Sequence, residues 1–166
     1  SRPDAVWRRW VEGTAEIFEA TRMATCDLSV VVLSLGAPPE LATAVASLCR
    51  QSVIPEIVVV NSNGGDVLGR LSAMRDRVRI ITTTERLYAG AVRNIGIDAS
   101  RGAHVSFLAS DCTAVPGSIA KRLEKHRAGA RAVSAFVVPQ DSASVCQNAA
   151  AFLLHSSRNA SSGLPD

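Results

Sequence analysis

Apolar residues along the chain alternate between two periods. The β-branched run LSVVVLSL at 28–35 is apolar almost throughout and ends in Gly36, Pro38 and Pro39, which predicts a strand buried on both faces and closed by a loop. Leu41, Val45 and Leu48 then recur at helical spacing, and a helix is expected over them. The run EIVVV at 56–60 stops at the turn-rich NSNGGD, and VRIITT occupies 78–83; both read as further buried strands. Between them, Val67, Leu71 and Met74 outline a second helix with Asp66 at its start, a residue type suited to capping.

Tyr88, Val92 and Ile95 mark a third helix that ends near Gly102, and AHVSFL at 103–108 supplies a fourth strand stopping at ASDC. Pro116 and Gly117 open a helix carrying Ile119 and Leu123, and RAVSAFVV at 131–138 reads as a fifth strand. Strands apolar on both faces that alternate with helices imply an α/β protein, a three-layer αβα sandwich around a mostly parallel sheet. Ligands of such sheets sit beyond the carboxyl ends of the strands. The loops after Leu35, Val60 and Leu108 are therefore where function is expected.

Outside this core the pattern weakens. Val6, Trp10, Ile17 and Phe18 can share one helical face, so residues 1–25 are expected to form an amphipathic helical appendage. Its apolar face needs cover from the domain itself, from a second subunit in a homo-oligomer, or from an acceptor-side element; packing within the chain is the favoured reading. Residues 26–140 make the main domain, and 141–166 a last helix near 144–157 with a flexible polar tail.

Composition narrows the function classes. Hydrophobic residues are 47% of 166 and charged residues 20%, as in a soluble globular domain. A net charge of +3 without a basic block argues against nucleic acid as the main partner. No apolar run is long enough for a transmembrane segment, and the N-terminal residues lack the succession of a signal peptide, so a cytoplasmic protein is expected. Cys26, Cys49, Cys112 and Cys146 are scattered without C-x-x-C spacing, which points to free thiols rather than zinc or disulfides.

Three segments carry candidate chemistry. Asn61, Ser62, Asn63, Gly64 and Gly65 combine hydrogen-bonding side chains with glycines that let a ligand approach the backbone; they suit a nucleoside base or ribose, and equally a turn with no ligand. Asp111 follows a buried strand, where a carboxylate can hold a hard cation or cap a turn. Arg86, Arg93 and Asn94 precede or lie on the third helix. An arginine there can offset phosphate charge through forked donors, or simply be solvated.

The order LSVVVLSL, LCRQS, PEIVVVNSNGGD, VRIITT, YAGAVRNIGIDASRG, HVSFLASDC and VPGSI resembles the nucleotide-sugar-binding portion of family 2 glycosyltransferases. The most specific match is AGAVRNIGIDASRG followed by a strand and an acidic turn. The resemblance implies a Rossmann-like GT-A fold, a nucleotide-diphosphate sugar donor, a divalent cation (Mg2+ or Mn2+) and transfer of the sugar to a hydroxyl acceptor. By the same resemblance Asp111 matches the last carboxylate of the family's Asp-x-Asp metal motif, and Arg93 and Asn94 its Arg-Asn pair. Asn61 and Ser62 stand where acidic residues are usual, and Ser34, Asn63 and Ser110 complete the implied donor-binding set.

The chain departs from the family pattern in places. Ala109 replaces the first Asp of Asp-x-Asp, and Leu33, Leu35 and Gly36 stand in the region of a usual base-stacking tyrosine. After residue 139 the acidic residues are Asp141 and Asp166, neither in a motif for a general base, so the catalytic base is unassigned. A catalytically inactive GT-A-fold module for binding or interaction is the alternative reading.

Overall fold

The computed structural model describes residues 15–18, 27–135, 137–139, 144–146 and 149. By density of internal contacts the chain divides into two units, Ser1–Arg127 and Ala128–Asp166. The first contains strand β1 (Ala15–Phe18), β2 (Leu28–Leu35), helix α1 (Glu40–Cys49), β3 (Glu56–Ser62), α2 (Val67–Arg70), β4 (Val78–Thr83), α3 (Ala89–Ala99), β5 (His104–Ala109) and α4 (Ser118–Arg127). A six-residue 3-10 turn, Ser72–Arg77, links α2 to β4.

The sheet order is β1-β4-β3-β2-β5. Strands β2 to β5 are parallel, while β1 runs antiparallel along β4. The β-branched runs make this possible. Every residue of β3 is buried, and Val30, Val31 and Val32 of β2 are within 2% of complete burial. Both faces are therefore dry, as a central parallel strand requires.

Alternation along β2 and β3 divides the core. Val30, Val32, Ile57 and Val59 pack with Leu41, Val45 and Leu48 of α1 and with Ile119 and Leu123 of α4. On the opposite face Val31, Val58, Val60 and Ile81 pack with Val92, Ile95 and Ala99 of α3. The expected α/β sandwich with helices on both sides of a mostly parallel sheet is what the chain forms. Gly96 allows α3 to come close: a Cβ there would lie 2.2 Å from Val31 Cγ1.

Several elements differ from expectation, among them β5, expected as a buried strand but only partly buried, with Phe107 39% exposed at the sheet edge. Ala15–Phe18 is a strand where an amphipathic helix was expected; its register against Ile80–Thr83 satisfies the outer edge of β4. Phe18 packs against the core and lies under the Arg75 guanidinium, 5.5 Å from the ring centre. The remainder of that helix, residues 1–14 and 19–25, lies outside the described residues.

In the second unit, 131–135 and 137–139 are not a strand. An apolar run sets propensity, but a strand also needs a ladder partner, and none is present for this one among the described residues. Of the expected last helix, Val145, Cys146 and Ala149 are helical, and the rest falls outside the described residues.

Candidate functional site

The parallel strands end together, so one rim of the sheet carries the loops after Leu35, Ser62, Thr83 and Ala109. From β2 the chain steps outward through β3 to β4, then returns to the other side of β2 as β5. The order of connection reverses between β2 and β5, and a crevice for ligands opens at such a switch point. Asp111 follows β5 there and is exposed. Ser110, half-buried beside it, donates its backbone N–H to Leu33 O at 3.0 Å, which fixes the start of this loop on the end of β2.

The loop after β5 is tied down further along by α1. Ser47 Oγ accepts from Ala114 N at 2.9 Å, and Gln51 Nε2 donates to Val115 O at 3.0 Å. Both residues are buried. Sequence reasoning passed over them, although Ser47 stands beside Leu48 on the apolar side of a helix, where a hydroxyl calls for a partner.

Asn61 is fully buried, and its carboxamide is spent inside the fold. Its Oδ1 accepts from Ser34 Oγ at 2.8 Å and from Ala37 N at 3.0 Å. Its Nδ2 donates to Gly64 O at 2.7 Å and to Thr82 Oγ1 at 3.3 Å. One side chain thus joins the β2–α1 loop, the β3–α2 turn and β4. Ser34, also buried, is engaged in the same network.

These two loops touch through backbone. A Cβ on Gly65 would sit 2.5 Å from Gly36 O, so only glycine fits that approach. Ala37 holds a left-handed φ of 50°, a conformation that costs a non-glycine residue about 1 kcal/mol or more. Its surroundings hold it there: Asn61 accepts from its N–H, and Arg70 Nε donates to its carbonyl at 3.2 Å.

Ser62 is buried, and its hydroxyl finds no partner among the described residues. Asn63 is exposed with φ 68°, a conformation asparagine tolerates, and its N–H donates to Glu85 O at 2.9 Å. Arg93 and Asn94 are exposed on α3. The Arg93 guanidinium lies over Phe107 of β5, 5.8 Å from the ring centre, within cation–π range. The structure therefore brings Ser34, Asn61, Ser62 and Asn63 together on the β2 and β3 ends, with Ser110 and Asp111 on the β5 end. Arg93 reaches β5 from α3.

The local electrostatics favour the neutral form of the Cys112 thiol. Cys112 is pushed from 9.0 to about 11 by partial burial first, then by the charge of Asp111 and by the hydrogen bond its Sγ donates to Asp111 Oδ1 at 3.5 Å. The carboxylate on the loop after β5 is that of Asp111. No cluster of three or more His, Cys, Asp or Glu suited to an ion occurs among the described residues. A single carboxylate fits a magnesium-type ion that takes its other ligands from substrate phosphates and water. Among the described residues no helix is long and apolar enough to cross a membrane.

Comparison with known proteins agrees with the fold. Residues 29–153 match the family described as Glycosyl transferase family 2. Over 102 residues the chain is 32% identical to the succinoglycan biosynthesis protein ExoO of Rhizobium meliloti (strain 1021), a stretch covering 60% of this chain and 29% of that protein. The chain thus spans less than a third of the length of this relative.

Proposed function

We propose, from the premise that this chain belongs to glycosyl transferase family 2, that it binds a nucleotide-diphosphate sugar at the β2/β5 crevice and passes the sugar to a hydroxyl acceptor. The observation that carries the reading is the exposed Asp111 at the switch point of a parallel sheet. Asp111 is the residue to hold Mg2+ or Mn2+, which when bound supplies positive charge against the diphosphate. Arg93 offers forked donors to the same charge. Asn94, Ser62, Asn63 and Ser110 offer neutral contacts, so base and ribose recognition rests on hydrogen bonds without a charged partner. The loops after β2 and β3 form the floor on which the nucleoside rests.

The name of the relative, a biosynthesis protein for succinoglycan, supports a carbohydrate acceptor. A cytoplasmic location and self-association belong to the proposal as well, the second tested by light scattering of the purified chain. Incubation with radiolabelled nucleotide sugars and manganese tests catalysis: sugar release or transfer that disappears in Asp111→Ala supports it.

A second reading has its own observation. Ala109 stands where the family's first metal-motif carboxylate is found, which favours a binding module that no longer turns over. Release of sugar by the wild type above the Asp111→Ala background rejects that reading.

A further inference from the structure

We infer that Asn61 is a positioning residue of the donor site, clamping the β2–α1 loop to the β3–α2 turn without touching the donor. The inference rests on the donor reading above and sharpens it. Asn61 was a candidate contact on sequence grounds, yet it is 0% exposed and each polar atom of its amide has two partners. Nothing remains of it for a ligand.

The partners dictate the chemistry of the position. The Ala37 N–H can only donate and the Gly64 carbonyl can only accept, so the clamp needs an acceptor on one side and a donor on the other. A carboxamide provides both, whereas an ionised carboxylate provides acceptors alone. Aspartate at 61 would keep the Ser34 and Ala37 bonds and could be satisfied by the rotating Thr82 hydroxyl. It would also set a charged oxygen against the Gly64 carbonyl, now left without its donor. The β3–α2 turn would part from the β2–α1 loop, and the backbone approach of Gly65 to Gly36 would be lost. Residue 61 thus acts through Ala37 and Gly64, which shape the rim, and the neutral amide is what lets the two loops share one side chain.

The test compares wild type with Asn61→Asp and with the milder Thr82→Val, which removes one acceptor and keeps the side-chain shape. Nucleotide-sugar affinity with manganese is measured by calorimetry at a temperature where circular dichroism shows each variant folded. Hydrogen exchange is followed at Gly64, whose N–H donates to Thr83 O at 3.0 Å, and, for comparison, at Val59 in the core. Asn61→Asp is expected to weaken donor binding about tenfold or more, as loss of a buried hydrogen bond and creation of a repulsive contact imply. Thr82→Val is expected to weaken it about two- to threefold. Exchange should quicken at Gly64 and not at Val59. A merely structural role would speed exchange at both sites and leave the affinity of the folded variant unchanged. Unaltered donor affinity in Asn61→Asp beside a wild type that binds overturns the positioning role alone. A wild type that binds no nucleotide sugar overturns the donor reading and this inference with it.

Discussion

Replacing Gly96 with alanine tests how closely α3 is seated on the sheet. The added Cβ would fall 2.2 Å from Val31 Cγ1, 2.8 Å from Cγ2 and 3.0 Å from Cβ, whereas carbon atoms pack at about 3.5–4.0 Å. Val31 is 0% exposed in the middle of the sheet, and a β-branched side chain has little rotamer freedom with which to retreat. The helix must therefore lift by more than the slack in a close-packed interior allows. Overpacking of this kind costs about 1–3 kcal/mol, and the better helix propensity of alanine returns about 1 kcal/mol. A net loss of up to about 2 kcal/mol is expected, read as a lower urea midpoint with an unchanged slope. Gly90→Ala in the same helix is the control. Nothing lies within 4 Å of a Cβ there, so propensity alone should act, and stability should rise by up to about 1 kcal/mol. If Gly96→Ala is stabilised to the same extent as Gly90→Ala, α3 does not sit on β2 as described.

Other expectations follow from buried polar groups. Glu56 is buried at the opposite end of β3, where Oε2 accepts from Ser29 Oγ and from Arg101 N, the latter at 2.7 Å, just beyond the end of α3. Glu56→Ala should cost about 1–3 kcal/mol in urea denaturation, because the Ser29 hydroxyl and the Arg101 amide lose this buried acceptor; a loss below about 0.5 kcal/mol would contradict that role. Burial raises the Cys49 thiol above its usual 9.0, with Asp76 adding to the effect and Arg77 and Arg50 opposing it. The folded state thus holds the proton more tightly than the unfolded chain. The contribution of Cys49 to stability is present below pH 9.0 and lost as pH rises through the raised value. Iodoacetamide at pH 8 should modify Cys49 more slowly than the exposed Cys146, and mass spectrometry showing equal rates would refute the burial argument.

The central strands could be read from sequence because their signal is local. The span of β2, Leu28–Leu35, coincides with its β-branched run, and β4 with VRIITT. Strand β3 extends past its apolar run to Ser62, because Asn61 and Ser62 continue the ladder opposite Ser34 and Leu35. Four residues ending in Ile17 and Phe18 fit a helical face as well as a strand, and the edge of β4 decided between them. The second helix was expected to run through Met74, yet α2 stops at Arg70 and gives way to a 3-10 turn. At the rim, the sequence located the loops but not the duties of their side chains. Asn61 looks like a ligand contact until its partners Ser34, Ala37 and Thr82 are known, and these lie 27, 24 and 21 residues away. Ser47 and Gln51 act on a loop 63 to 67 residues distant, beyond any local pattern.

The measurement that bears most directly on the proposed function is calorimetric titration of the chain with a panel of nucleotide-diphosphate sugars in the presence of manganese, beside Asp111→Asn. Saturable binding of at least one donor, weakened about tenfold or more in the variant or on chelation of the metal, is the expected result. Absence of binding across the panel, or binding that Asp111→Asn and chelation leave untouched, would contradict the assignment of a cation-assisted donor site to the crevice between β2 and β5.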